Sequence, residues 1–155
     1  VWLEFRRVLF RSNAEFTVDV PLAPDLRQPG RMRCSGHGKK SITHFKVLEQ
    51  FRGTALVECR PVTGRTHQLR VHLQHAGHPI RGDAMYGGKP LYLSSIKPNF
   101  RAKGGEGERP LTPTLALHAA QLAVTQPTTG ELVVIEAGWP KDLRVAMKHL
   151  RRYGR

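Results

Sequence analysis

The chain has 155 residues, the length of a single domain, and 39% of them are hydrophobic, which is enough for a packed core. No apolar run approaches the roughly 20 residues that a membrane-spanning helix needs, so we expect no membrane partner. The 25 Lys and Arg residues outnumber the 12 Asp and Glu residues and give a net charge of +13, which favours nucleic acid as a partner over a charge that serves solubility alone. The two cysteines, Cys34 and Cys59, predict neither a disulfide framework nor a zinc cluster and fit a reducing cytoplasm.

Residues 1–12 differ from the rest of the chain, because they carry no turn signal. We interpret them as a foreign or disordered segment and leave them out of the fold prediction. The alternative is a basic amphipathic segment that contacts RNA or a membrane. Residues 13–155 are predicted to belong to one domain.

The first predicted strand lies in residues 13–22, where Phe16, Val18 and Val20 alternate with polar residues up to Pro21. Residues 23–40 are rich in Pro, Gly and basic residues and predict a loop or weak hairpin, which either follows RNA phosphates or is simply solvated. Residues 41–51 and 54–61 predict an antiparallel hairpin that turns at Gly53.

A short helix is predicted next, inside the segment 61–88. Thr66 is a candidate N-cap, Gly77 a candidate C-cap, and Pro79 prevents continuation. One helical stripe is apolar and is expected to dock on the sheet: Leu69, Leu73 and Ala76. A second stripe is polar and is expected to face outward, with Arg65 beside it: His67, Arg70 and Gln74.

Four histidines in this segment invite a metal interpretation, which their spacing does not favour. His67, His72, His75 and His78 lack the i, i+4 pairing and the nearby Glu of zinc-binding helices, so no metal is predicted and His72 and His78 are expected to form structural hydrogen bonds. Asp83 is expected to cap or tie the following loop rather than to act in catalysis.

The remaining segments predict a long loop, a hairpin and a helix. Residues 89–113 are rich in Gly, Pro and basic residues, and we expect either RNA contact or disorder there. Residues 115–126 predict a strand, with a helix as the alternative at 115–120, and a turn at 127–130 leads to a partner strand at 132–135. Residues 140–153 predict an amphipathic helix whose apolar stripe is Leu143, Ala146, Met147 and Leu150. A sheet with a packed helix gives an α+β fold.

The residues Gly64–His72 read Gly-Arg-Thr-His-Gln-Leu-Arg-Val-His and closely resemble the last sequence motif of the RluA-type RNA pseudouridine synthases. The dipeptides at His78, Gly82 and Tyr86 (His-Pro, Gly-Asp and Tyr-Gly) continue the match. The resemblance extends over roughly residues 13–153 and is weakest at 89–113. It implies an α+β fold with a mixed, largely antiparallel sheet, a short motif helix and a C-terminal helix.

The resemblance also implies a reaction. Enzymes of this family cleave the C1′–N1 glycosidic bond of a uridine in RNA and rejoin the base through C5, without a cofactor. Their essential aspartate stands in an upstream His-Arg-Leu-Asp-type motif, and a tyrosine beside the base stands further upstream. Neither motif occurs in this sequence, which therefore resembles the C-terminal part of a catalytic domain.

Residue roles follow from the same resemblance. Arg70 matches the arginine that pairs with the absent aspartate, and Leu69 matches a residue that lines the base pocket. Arg65, His67 and Gln68 are expected to hold the motif loop and to contact phosphate or sugar.

The first hypothesis is therefore a cytoplasmic, monomeric RNA pseudouridine synthase acting on ribosomal or transfer RNA, of which this chain alone is inactive. The alternative is a basic RNA-binding α/β module without activity. A third is a non-functional fragment that folds only in part. An interrupted sheet would leave apolar surface exposed, so aggregation or low stability is expected.

Overall fold

The computed structural model describes residues 2–4, 14–101 and 107–155. Within these residues the strands are β1 (Trp2–Glu4), β2 (Glu15–Asp19), β3 (Leu22–Pro24), β4 (Met32–Cys34), β5 (Ile42–Phe51), β6 (Thr54–Pro61), β7 (Gln121–Thr125) and β8 (Leu132–Glu136). The α-helices are α1 (Gln68–His75) and α2 (Lys141–Tyr153), and short 3-10 turns lie at Ala84–Tyr86 and Leu93–Ser95. The predicted α+β fold is confirmed.

The main sheet is antiparallel, with the strand order β1-β6-β5-β2. The β5–β6 hairpin turns at Gly53, whose φ of 70° suits a residue without a side chain. Phe45 pairs with Cys59 and Val47 with Val57, and the register then shifts at a β-bulge. Because side chains alternate along a strand, Ile42 lies on the opposite face from Phe45 and Val47.

The core lies between this sheet and the two helices. Leu73 of α1 and Leu150 of α2 are completely buried together with Val47 and Ala55 of the hairpin. The predicted stripe of α2 is confirmed, because its buried residues are Leu143, Ala146, Met147 and Leu150. Leu69 and Ala76 of the predicted α1 stripe are partly buried against the same core.

The long segment 89–113 packs onto the domain wherever it is described. Leu91 and Ile96 are buried, and Thr112 accepts a 2.9 Å hydrogen bond from the backbone N–H of Leu91. Disorder is therefore the wrong expectation for residues 89–101 and 107–113, while residues 102–106 lie outside the described residues.

The expectations for the remaining regions are confirmed only in part. The weak hairpin expected in residues 23–40 is confirmed, since β3 pairs with β4. Residues 115–120 are neither helix nor strand, and pairing begins only at Gln121.

Of residues 1–12 the structure describes Trp2–Glu4, whose backbone pairs with β6, so their foreign origin stays a prediction. Among the described residues no helix combines the length and the apolar character needed to cross a membrane.

Candidate active site on the motif helix

The first turn of α1 is fixed by Gln68 rather than by a threonine cap. Helix α1 begins at Gln68 and its N-cap is His67, without a side-chain cap bond, so the expected Thr66 cap is wrong. His67 adopts φ 55°, a left-handed conformation that is uncommon for a residue with a side chain. The Gln68 side chain instead accepts hydrogen bonds from the Thr63 hydroxyl at 2.7 Å and from the backbone N–H of Arg65 at 3.0 Å.

The amide nitrogen of Gln68 ties the helix to β5. It donates to the Ile42 carbonyl at 2.9 Å and to Thr43 Oγ1 at 3.0 Å. Gln68 is only 4% exposed and uses both N–H groups and its oxygen inside the protein. Its expected role in holding the motif loop fits this geometry, which leaves its amide no N–H group for RNA.

His72 continues the same chain of hydrogen bonds. Its Nδ1 lies 2.9 Å from Thr43 Oγ1, and its Nε2 lies 3.0 Å from the Val20 carbonyl. Because a carbonyl only accepts, Nε2 carries the proton and Nδ1 accepts from the threonine hydroxyl. Burial lowers the pKa of His72, so the ring is neutral near pH 7. The structural role predicted for His72 is confirmed.

The helix ends as Gly77 predicts. Gly77 follows the cap residue Ala76 and has φ 82°, and its N–H bonds the Gln74 carbonyl at 2.9 Å. The N–H of His78 bonds the Leu73 carbonyl at 2.8 Å, which completes a Schellman motif. This tight stop directs the chain back across the helix toward Asp83.

Arg70 is held by Asp83. Its Nε lies 2.8 Å from Asp83 Oδ2 and its Nη2 lies 2.7 Å from Oδ1, a bidentate ion pair. The Arg70 side chain is 16% exposed and that of Asp83 1% exposed. The expectation that Arg70 faces outward is therefore wrong, because the loop after α1 folds back and covers the guanidinium.

The loop that carries Asp83 is closely packed. The Asp83 side chain accepts from the backbone N–H of Tyr86 and so caps a 3-10 turn, as its predicted role of tying the loop requires. The N–H of Gly88 bonds the Asp83 carbonyl at 2.8 Å. A Cβ on Gly88 would lie 1.7 Å from the Ile80 carbonyl oxygen, so this approach requires glycine.

Tyr86 links the arginine to the β3–β4 hairpin. The guanidinium carbon of Arg70 lies 4.7 Å, and that of Arg31 5.0 Å, from the centre of the Tyr86 ring. The Tyr86 hydroxyl accepts from the Met32 N–H at 3.0 Å and lies 2.8 Å from Nδ1 of His67. The hydrogen bond between this hydroxyl and His67 stabilises the left-handed residue.

The electrostatics of the cluster follow from these contacts. The hydrogen-bonded Asp83 raises the pKa of Arg70, so the guanidinium stays charged. Burial lowers the pKa of His67, and the charge of Arg70 lowers it further. His67 is thus a neutral ring near pH 7.

Leu69 and Arg65 belong to the same motif as Arg70 and differ in their surroundings. Leu69 lines a cleft of about 590 Å³ whose walls also include Leu56, Trp139 and Leu143. Arg65 is exposed, and its Nε donates to the Lys40 carbonyl at 3.2 Å. The sequence therefore places an apolar wall and an accessible cation within five residues of the held guanidinium.

Two features of the site escaped sequence reasoning. The pairing of Arg70 with Asp83 joins residues 13 positions apart, and the central position of Tyr86 depends on the β3–β4 hairpin. In the sequence, Asp83 and Tyr86 were marked by the Gly-Asp and Tyr-Gly dipeptides that continue the motif. Within the described ranges no group of three or more His, Cys, Asp or Glu residues could hold a metal ion.

Comparison with known proteins supplies the family. Residues 11–75 match the family described as RNA pseudouridylate synthase. The chain is 36% identical over 143 residues to an uncharacterized RNA pseudouridine synthase, YlyB, of Bacillus subtilis, covering 92% of this chain and 41% of that protein. It is 41% identical over 143 residues to the ribosomal large subunit pseudouridine synthase C of Escherichia coli, covering 87% of this chain and 40% of that protein. The chain belongs to the RNA pseudouridine synthase family.

A solved structure agrees with this assignment. Human RNA Pseudouridylate Synthase Domain Containing 1 aligns with a TM-score of 0.61 and 25% identity, covering 99% of this chain and 65% of that chain. This chain spans about 40% of the length of the curated family members that it matches.

Proposed function

We propose that this chain supplies the Arg70-bearing part of a cytoplasmic, monomeric enzyme that isomerises uridine to pseudouridine in ribosomal or transfer RNA. The catalytic aspartate comes from a segment that this sequence does not include. The reaction uses no metal and no cofactor. The observation that carries the proposal is the geometry of Arg70, a charged and mostly buried guanidinium that Asp83 holds through two hydrogen bonds, on the same helix as Leu69 of the apolar cleft.

Asp83 acts as a positioning residue for Arg70. It occupies Nε and Nη2 on one side of the guanidinium, and among the described residues no acceptor contacts Nη1. A guanidinium has five N–H donors, so the edge formed by Nη1 and the second N–H of Nη2 can still take a carboxylate through two hydrogen bonds. Asp83 thereby fixes the direction in which Arg70 presents this edge.

That edge fits the needs of the reaction. A carboxylate buried beside a flipped base would lose its hydration and tend to become neutral. Arg70 cannot lose its proton, so it keeps the incoming acid ionised and oriented. Leu69 on the cleft wall provides an apolar surface for a uracil extruded from its stack. Arg65, which is exposed, contacts RNA phosphate, and the partly buried His67 borders the same surface as a neutral group.

The test is a chimera in which this chain replaces the matching part of the Escherichia coli relative. The chimera is incubated with unmodified large-subunit ribosomal RNA, and pseudouridine is measured by mass spectrometry of the digested nucleosides. We expect pseudouridine from the chimera and none from the 155-residue chain alone. A folded chimera that binds RNA but forms no pseudouridine would contradict the proposal and would favour a basic RNA-binding module.

A further inference from the structure

The β7–β8 hairpin carries an apolar face that nothing in the described structure covers. Antiparallel pairing sets Leu122 opposite Ile135 and Val124 opposite Val133, so these four side chains share one face. Their exposed fractions are 57%, 55%, 42% and 40%. The other face is mixed, because it carries Gln121, Thr125 and Glu136 together with Ala123, Val134 and Leu132. The face without polar residues is the one expected to be buried when such a hairpin packs on a core.

Both outer edges of the hairpin are open among the described residues. β7 and β8 form a separate two-stranded sheet, and neither pairs with another strand in the described part of the chain. A two-stranded hairpin is marginally stable by itself, and open strand edges favour pairing with further strands. The base of the hairpin is anchored, since Ala137 N–H bonds the Ala120 carbonyl and Trp139 is partly buried against the core.

The charge of the hairpin argues against nucleic acid as the occupant. Residues 121–136 contain no Lys or Arg and two acidic residues, Glu131 and Glu136, in a chain whose net charge is +13. Phosphate would be repelled here, whereas the apolar face suits protein. The matching members of the family are about two and a half times as long as the matched part, and the human structure continues beyond the 65% that aligns.

We infer that the apolar face of β7–β8 and the adjoining cleft form the docking surface for the remaining part of a pseudouridine synthase. The cleft runs from residues 117–121, at the base of β7, to Leu69. A segment that fills this surface therefore arrives beside Leu69, on the helix that also carries Arg70. This inference rests on the proposed function for the identity of the docked segment.

The experiment co-expresses the tagged 155-residue chain with the part of the Escherichia coli relative that lies outside the match. Complex formation is measured by size-exclusion chromatography with light scattering and the affinity by titration. We expect a one-to-one complex, at least tenfold weaker for Val124→Lys, because a lysine charge would be buried on the apolar face. The control Thr125→Lys places the same charge one residue away on the mixed face and is expected to bind within twofold of the unmodified chain.

Other outcomes would overturn the inference. These are equal binding by the two variants, absence of a complex, self-association of the chain through this face that Val124→Lys abolishes, or loss of RNA binding in Val124→Lys alone. The readout is binding, so it is separate from catalysis. A Val124-dependent complex that makes no pseudouridine would leave the docking surface in place and count against the proposed function.

Discussion

The motif helix and the β7–β8 hairpin differ in how far their side chains are buried and paired within this chain. Around α1, Gln68 and His72 find hydrogen-bond partners, and Arg70 finds a buried carboxylate. On the hairpin, Leu122 and Ile135 remain more than half exposed. The polar groups of the motif helix are thus satisfied within this chain, whereas the apolar face of the hairpin is exposed and, on the inference above, is covered by the remaining part of the enzyme.

Under the proposed function, this contrast separates two tasks within one catalytic domain. The motif helix is a preformed support whose polar groups are fixed before a substrate arrives, which reduces the reorganisation needed at the moment of reaction. The hairpin, on the inference above, becomes part of a packed core only on association. A family member could therefore present Arg70 in its final position while the rest of its catalytic centre is still absent.

The largest difference is expected for the same substitution made in the two regions. Leu73→Ala removes a completely buried side chain and should lower the free energy of unfolding by about 3 kcal/mol. Leu122→Ala, at a 57% exposed site, should lower it by less than about 0.5 kcal/mol. Urea unfolding followed by circular dichroism measures both. Similar losses in the two variants would mean that the hairpin is packed in solution.

The next effect concerns the ion pair that fixes the motif. Asp83→Asn leaves the mostly buried Arg70 without its carboxylate and should cost about 3 kcal/mol, as for other broken buried pairs. The matched control is Glu49→Gln, which breaks the exposed pair of Glu49 with Arg151 and should cost less than about 1 kcal/mol. Equal costs from urea titrations would show that Asp83 does not hold Arg70 in solution.

The smallest effect is a dependence on pH. Burial lowers the pKa of His72 below its ordinary value of 6.5, so the unfolded chain binds more protons than the folded chain between the two pKa values. The stability from neutral His72 is fully present above about pH 6.5 and is lost as the pH falls, by up to about 1.4 kcal/mol per pH unit. Unfolding titrations from pH 5 to 8 should show a shallower slope for His72→Gln. An unchanged slope would exclude His72 as a source of this dependence.

Local patterns in the sequence predict most of the fold. Alternating residues predict the β5–β6 hairpin, the apolar stripe predicts the buried face of α2, and Gly77 predicts the end of α1. Each of these signals lies within one element or one turn, where period and backbone preference decide the structure.

The site was less predictable because its contacts are long-range. Thr66 has the residue type of an N-cap, yet the loop is held by Gln68, whose side chain hydrogen-bonds Ile42 and Thr43, about 25 residues earlier in the chain. Arg70 was expected to face solvent because helical spacing says nothing about a loop that returns to cover it. Whether the apolar face of β7–β8 is covered likewise depends on which other segments are present. The alternation of residues along a strand carries no information about those segments.

The most direct test of the central claim, that Arg70 serves the chemical step, compares Arg70→Ala and Arg70→Lys with the unmodified protein in the chimera described above. Rates of pseudouridine formation under saturating RNA and RNA dissociation constants are measured for each. Loss of the bidentate guanidinium should lower turnover at least a hundredfold in both variants and change RNA affinity less than threefold. Equal losses in turnover and affinity, or full activity in Arg70→Lys, would contradict the account and make Arg70 a simple phosphate contact.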